Sequence, residues 1–152
     1  MFSVINKLRS NFSSLYEVVV FMDILIFATF LPLYLKFMPL NSFLDYITPS
    51  EKIQTDESTE LKKARLIKFT DYILSREILI YKKSCLKRSI ILYRFLTRLG
   101  LDLRINFGVR YQNEAGNSKK FIGHSWLVKN GKPYLENSSV ETDKYKVTYS
   151  YP

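Results

Sequence analysis

Cys85 is the only cysteine of this 152-residue chain, and His124 is the only histidine. A thiol and an imidazole together support nucleophilic acyl chemistry, provided a third group orients the imidazole. Cys85 opens a segment in which Leu86, Ile90, Tyr93 and Leu96 recur at helical spacing, so a helix is expected from about Ser84 to Leu99, with Gly100 as its stop. At a helix start the unpaired N–H groups and the positive dipole end favour thiolate over thiol, and Lys82, Lys83, Lys87 and Arg88 add to that bias. The same N–H groups could receive the oxyanion of a tetrahedral intermediate. Taken alone, a cysteine beside a helix is more often a small buried apolar residue, and a histidine in a strand near tryptophan is more often a satisfied core residue.

What separates these readings is a partner for the imidazole. His124 lies in an expected strand, Phe121 to Lys129, on the face shared by Ile122, Trp126 and Val128. Asn130-Gly131 then joins it to a further strand, Lys132 to Asn137, as a hairpin. A two-residue loop would turn Glu136 away from His124. A three-residue loop with Gly131 left-handed would set Val128 opposite Lys132, Trp126 opposite Tyr134 and His124 opposite Glu136. The second register delivers a carboxylate to the imidazole and is the one expected here. Cys85, His124 and Glu136 are accordingly the candidate catalytic residues.

These residues need a scaffold, and the chain has material for one domain with a substantial core: 47% of it is hydrophobic and 15% aromatic. A single cysteine excludes an intrachain disulfide or a multi-cysteine metal cage, so no metal is expected and a reducing cytoplasm is the natural location. The net charge of +9 favours an anionic partner. The basic residues lack the aromatic interleaving of a nucleic-acid face and read as solvated helix surfaces, so no nucleic-acid partner is expected. Val18 to Leu35 is almost continuously apolar, at the lower limit for a bilayer span, but Asp23 and Pro32 interrupt it and Lys36 and Pro39 close it. It reads as a helix packed on the domain or resting on a membrane surface, which leaves room for a peripheral membrane contact.

A polar connector between Ile47 and Glu60 separates an apolar N-terminal helical segment, 1–50, from the expected catalytic domain, 51–152. Within that domain a helix from Leu61 to Arg76 precedes the Cys85 helix. Leu103, Ile105, Phe107, Val109 and Tyr111 then alternate with polar residues as a strand with one buried face. Tyr145, Val147, Tyr149 and Tyr151 alternate as a last strand. Helices followed by an antiparallel meander define an α+β class.

The order Cys, His, then an acidic residue, with the nucleophile on a helix and its partners on strands, is that of papain-like and transglutaminase-like enzymes. The stretch Cys85-Leu86-Lys87-Arg88-Ser89, Leu96 through Gly100, Leu103 to Val109, His124-Ser125-Trp126-Leu127-Val128 and Gly131 to Glu136 resembles the transglutaminase-like cysteine peptidase that removes the leader from lasso-peptide precursors. The resemblance covers about 80–137 and extends loosely into the apolar N-terminal part. It implies a nucleophile at Cys85, a base at His124 and an orienting acid at Glu136. Two positions depart from that family's pattern: its third residue is usually aspartate, one methylene shorter than Glu136, and alanine usually stands where Ser125 is. The resemblance further implies three partners: the precursor peptide, a separate leader-binding protein and an asparagine-synthetase-like cyclase. No cofactor is expected in the chain itself, ATP entering the maturation system through the cyclase.

Overall fold

The computed structural model describes residues 14–50, 59–76, 84–113, 119–136 and 142–152. Most of the connector, the segment carrying Lys82 and Lys83, and the turn at 114–118 lie outside the described residues. Among the described residues, four helices precede four strands: α1 (Leu15–Phe37), α2 (Leu40–Ile47), α3 (Thr59–Leu74), α4 (Cys85–Arg98), then β1 (Arg104–Asn113), β2 (Lys119–Lys129), β3 (Lys132–Tyr134) and β4 (Lys146–Tyr151). The strands form one antiparallel sheet in the order β3-β2-β1-β4. This is the α+β arrangement that the sequence implies.

α4 occupies the centre. Its stripe of Ile90, Ile91, Leu92, Tyr93 and Leu96 is essentially inaccessible to solvent, and it packs on α3 and on β2. Gly100 ends the helix in the left-handed region (φ 88°), where its N–H reaches the Thr97 carbonyl and that of Leu101 reaches Leu96. On the sheet side, Leu103, Ile105 and Leu127 close the same core.

The apolar N-terminal stretch is a single helix that incorporates Pro32. Ser14 caps it, its Oγ accepting the Glu17 N–H at 3.3 Å. Ile24, Ala28 and Leu31 face inward and are buried, while Leu15, Val19, Met22, Ile26, Phe30, Leu33 and Phe37 line the outward face. Among the described residues it is the one helix long and apolar enough to cross a membrane, but with one face sealed into the protein only the other can meet lipid. α2 follows after Pro39 and contributes Phe43, Leu44 and Ile47 to the core.

The far end of β4 is tied to α2 and α4 by hydroxyls. Tyr151 donates to Asp45 Oδ1 at 2.7 Å and lies 3.3 Å from Thr48 Oγ1, which also meets the Tyr93 hydroxyl at 3.1 Å. Burial is the main cause that pushes the Tyr151 hydroxyl up to about 12, and it raises that of Tyr93 as well.

Candidate active site

Two backbone irregularities decide which side chains reach His124. The first is at the hairpin. Asn130 and Gly131 both have positive φ (51° and 76°), the conformation of a two-residue type I′ turn, and the strands pair Leu127 with Tyr134, Val128 with Pro133 and Lys129 with Lys132. The three-residue loop expected from the sequence is therefore not formed. In a continued strand this register would turn Glu136 away from the histidine. β3 stops at Tyr134, however, and Leu135 is left-handed (φ 63°), a conformation that costs a β-carbon residue roughly 1–2 kcal/mol. The turn resets the alternation, and Glu136 Oε2 lies 3.5 Å from His124 Nε2. The contact anticipated from the sequence is present, by a different route.

The second irregularity is in β4. β1 pairs Phe107 with Tyr149 but Gly108 with Val147, so Thr148 is an extra residue, and its hydroxyl bonds the Phe107 carbonyl at 3.1 Å. The bulge moves Val147 and Tyr145 to the face opposite Tyr149 and Tyr151. Uninterrupted alternation of the four, as the sequence reads, holds only for the last two. Tyr145 consequently lies against the imidazole (ring centroids 5.1 Å), which also stacks on Trp126 at 5.6 Å and 18°. Arg110 covers the outer side of Tyr145 at 5.0 Å. Trp126 is 3% exposed and backs the imidazole. Gly108 makes room for it: a β-carbon there would stand 2.9 Å from the indole.

Alternation along β2 puts His124 on the face of Trp126, while Ser125 and Leu127 face α4. β3 pairs only with residues 127–129, which leaves the β2 edge open beside His124. At this edge lies a cavity of about 270 Å³ lined by Cys85, His124 and Glu136 together with Asp71, Ser84, Arg88, Ser89, Ser125 and Leu135. All three candidate residues thus border one space. Ser89 Oγ donates to the Ser125 carbonyl at 2.9 Å and locks the second turn of α4 to β2. The Ser125 hydroxyl is buried without a partner.

Cys85 is the first residue of α4 and is partly exposed. The Ser84 side chain makes no capping hydrogen bond, and Ser84 and Cys85 both line the cavity, so the start of α4 faces it. Arg88 does not act simply as a free positive charge near the thiol. Its Nε and Nη2 donate to the Asp71 carboxylate at 2.7 and 3.4 Å, and Nη1 donates to the Leu135 carbonyl at 3.3 Å. Asp71, Arg88 and Tyr145 are site residues the sequence reading did not single out for these roles. Asp71 is brought in by the packing of α3 on α4, and Tyr145 by the bulge.

A helix-borne thiol, a strand-borne imidazole and a carboxylate thus border one cavity at the sheet edge of an α+β domain. Residues 47–150 match the transglutaminase-like superfamily, and the chain belongs to it. Members of that superfamily are typically cysteine-dependent enzymes of the protease or acyltransferase kind. No curated protein and no solved structure matches the chain. Among the described residues, no cluster of histidine, cysteine and acidic side chains could hold a metal ion.

Proposed function

We propose that the protein is a cysteine peptidase that removes the leader from a lasso-peptide precursor, with Cys85 as nucleophile, His124 as base and Glu136 as orienting acid. The observation that carries this reading is the shared cavity, in which the imidazole has its Nε2 turned to Glu136. That leaves Nδ1 as the ring nitrogen for the thiol proton. The thiolate attacks the peptide carbonyl at the leader–core junction, and the first-turn N–H groups of α4 hold the oxyanion. The imidazolium returns its proton to the departing amine, the N-terminus of the core peptide. Water activated by the same imidazole then hydrolyses the thioester and frees the leader. The separation of 3.5 Å between Nε2 and the carboxylate exceeds that of a tight charged hydrogen bond and is expected to shorten once substrate excludes water.

In this reading the leader is presented by a separate binding protein, and the freed core passes to an asparagine-synthetase-like cyclase that uses ATP. The peptidase itself needs no cofactor. It works in the cytoplasm, with the outward apolar face of α1 resting on the inner surface of the membrane.

The test is incubation of the precursor with the leader-binding protein and either the parent chain or Cys85→Ala, followed by mass spectrometry. A split peptide from the parent and none from the variant, with the fold retained, is the expected result. A crosslinked product or a gain of about one dalton would move the assignment to acyl transfer or deamidation, the chemistry open to the same three groups. Equal function of parent and variant would refute both and leave a non-catalytic scaffold.

A further inference from the structure

Glu136 reaches His124 only because Leu135 adopts a conformation that leucine disfavours, so something must hold it there. The carbonyl of Leu135 accepts Nη1 of Arg88, and the other side of that guanidinium is engaged by the Asp71 carboxylate through Nε and Nη2. Arg88 is thus spanned between an anchor on α3 and the strained turn after β3. It stands three residues after Cys85, one turn along the same face of α4. A guanidinium presents its donors in a rigid fork, so fixing one edge against Asp71 fixes where the other points.

We propose that Arg88 is a positioning residue: seated by Asp71, it grips the Leu135 carbonyl and holds the left-handed turn that aims Glu136 at His124. α4 then sets both ends of the site, the sulfur through its first residue and the carboxylate through its fourth. The proposal rests on the peptidase reading for its functional meaning, but the coupling itself can be measured without substrate. Arg88 is one turn beyond the nucleophile and acts through the backbone of residue 135, so its loss should act on kcat more than on KM. A carboxylate displaced by an ångström or so corresponds to about a 100-fold loss in kcat.

His124 is the sole histidine, so its ring nitrogen signals in a ¹⁵N NMR spectrum are unambiguous. The full chain is compared with Arg88→Met, Glu136→Gln and the double variant. The expected result is that Arg88→Met shifts the Nε2 signal in the same direction and by about the same amount as Glu136→Gln, and that the double variant shifts it no further. A wild-type Nε2 signal in Arg88→Met, additive shifts in the double variant, or a Glu136→Gln signal identical to wild type would each overturn the proposal. Should Arg88→Met fail to fold, Arg88→Lys keeps the charge but cannot span Asp71 and the Leu135 carbonyl at once. A wild-type signal in that variant would overturn the proposal equally. Cleavage assays on the same proteins separate the two readings: coupled NMR shifts in a chain that cuts no peptide would sink the peptidase assignment alone, whereas cleavage lost in Glu136→Gln but unchanged in Arg88→Met would sink the positioning role alone.

Discussion

Replacing Gly108 by alanine should disturb the site although no atom of residue 108 takes part in chemistry. Gly108 pairs with His124 across β1 and β2, and a methyl group at 108 would stand 2.9 and 3.0 Å from two indole carbons of Trp126 and 3.0 Å from the backbone carbonyl of Lys146. Ordinary carbon contacts lie at about 3.5–4.0 Å, so the indole must retreat by roughly half an ångström or β4 must move away. Neither is easy: Trp126 is 3% exposed and stacked on His124, and Lys146 is paired with Val109. Overpacking of this kind costs about 1–3 kcal/mol, which for a chain of this size lowers Tm by roughly 3–10 °C. Gly123 is the control, since a methyl group there meets nothing within 4 Å, and Gly123→Ala should stay within about 0.5 kcal/mol of the parent. Because Trp126 is the only tryptophan, its fluorescence reports the displaced indole directly, and thermal melts give the stability change. Equal melting temperatures and identical emission spectra for the two alanine variants would show that the close approach at 108 does not constrain the ring, and the reasoning would fail.

Tyr151 makes a pH prediction. Its hydroxyl ionises near pH 10 in an unfolded chain but only at about 12 when folded, so the stability tied to its neutral form is complete below pH 10 and is lost as pH rises from 10 to 12. Tyr151→Phe should cost about 1 kcal/mol at neutral pH, and its denaturation midpoint should fall less steeply than the parent's across pH 10–12; parallel profiles would refute the assignment. The outward face of α1 gives the other. In flotation with vesicles containing anionic lipid, the parent should rise with the lipid, while Ile26→Asp/Phe30→Asp should stay behind with its Tm within a few degrees, both sites being about half exposed. Identical flotation of the two proteins would remove the membrane role.

What the sequence made legible follows from period and punctuation. The stripe through Ile90, Tyr93 and Leu96 and the stop at Gly100 specify α4, the alternation at Leu103 and Ile105 specifies the buried face of β1, and Asn130-Gly131 specifies the hairpin. Cys85, His124 and Glu136 do border one cavity, but the strand register expected to unite the last two is absent. The reason is parity. A single left-handed residue at Leu135 and a single extra residue at Thr148 each invert the face that later side chains occupy, and neither leaves a compositional mark. Leucine is a poor forecast of positive φ, and Tyr145, Val147, Tyr149 and Tyr151 read as unbroken alternation. The Asp71–Arg88–Leu135 link joins three distant parts of the chain and becomes visible only when α3 lies beside α4.

The sharing of one core between α1, α2 and α4 bears on how the protein can be handled. Residues 47–150 suffice to establish kinship, yet an expression clone trimmed to them would strip away Ile24, Ala28, Leu31, Phe43 and Leu44. The rear of the nucleophile's helix would then lie bare to water, and such a fragment should be recovered as aggregate. Greasy as it looks on a hydropathy plot, the leading stretch is one wall of the cradle in which that helix sits, and detergent is a better remedy for its stickiness than a restriction site.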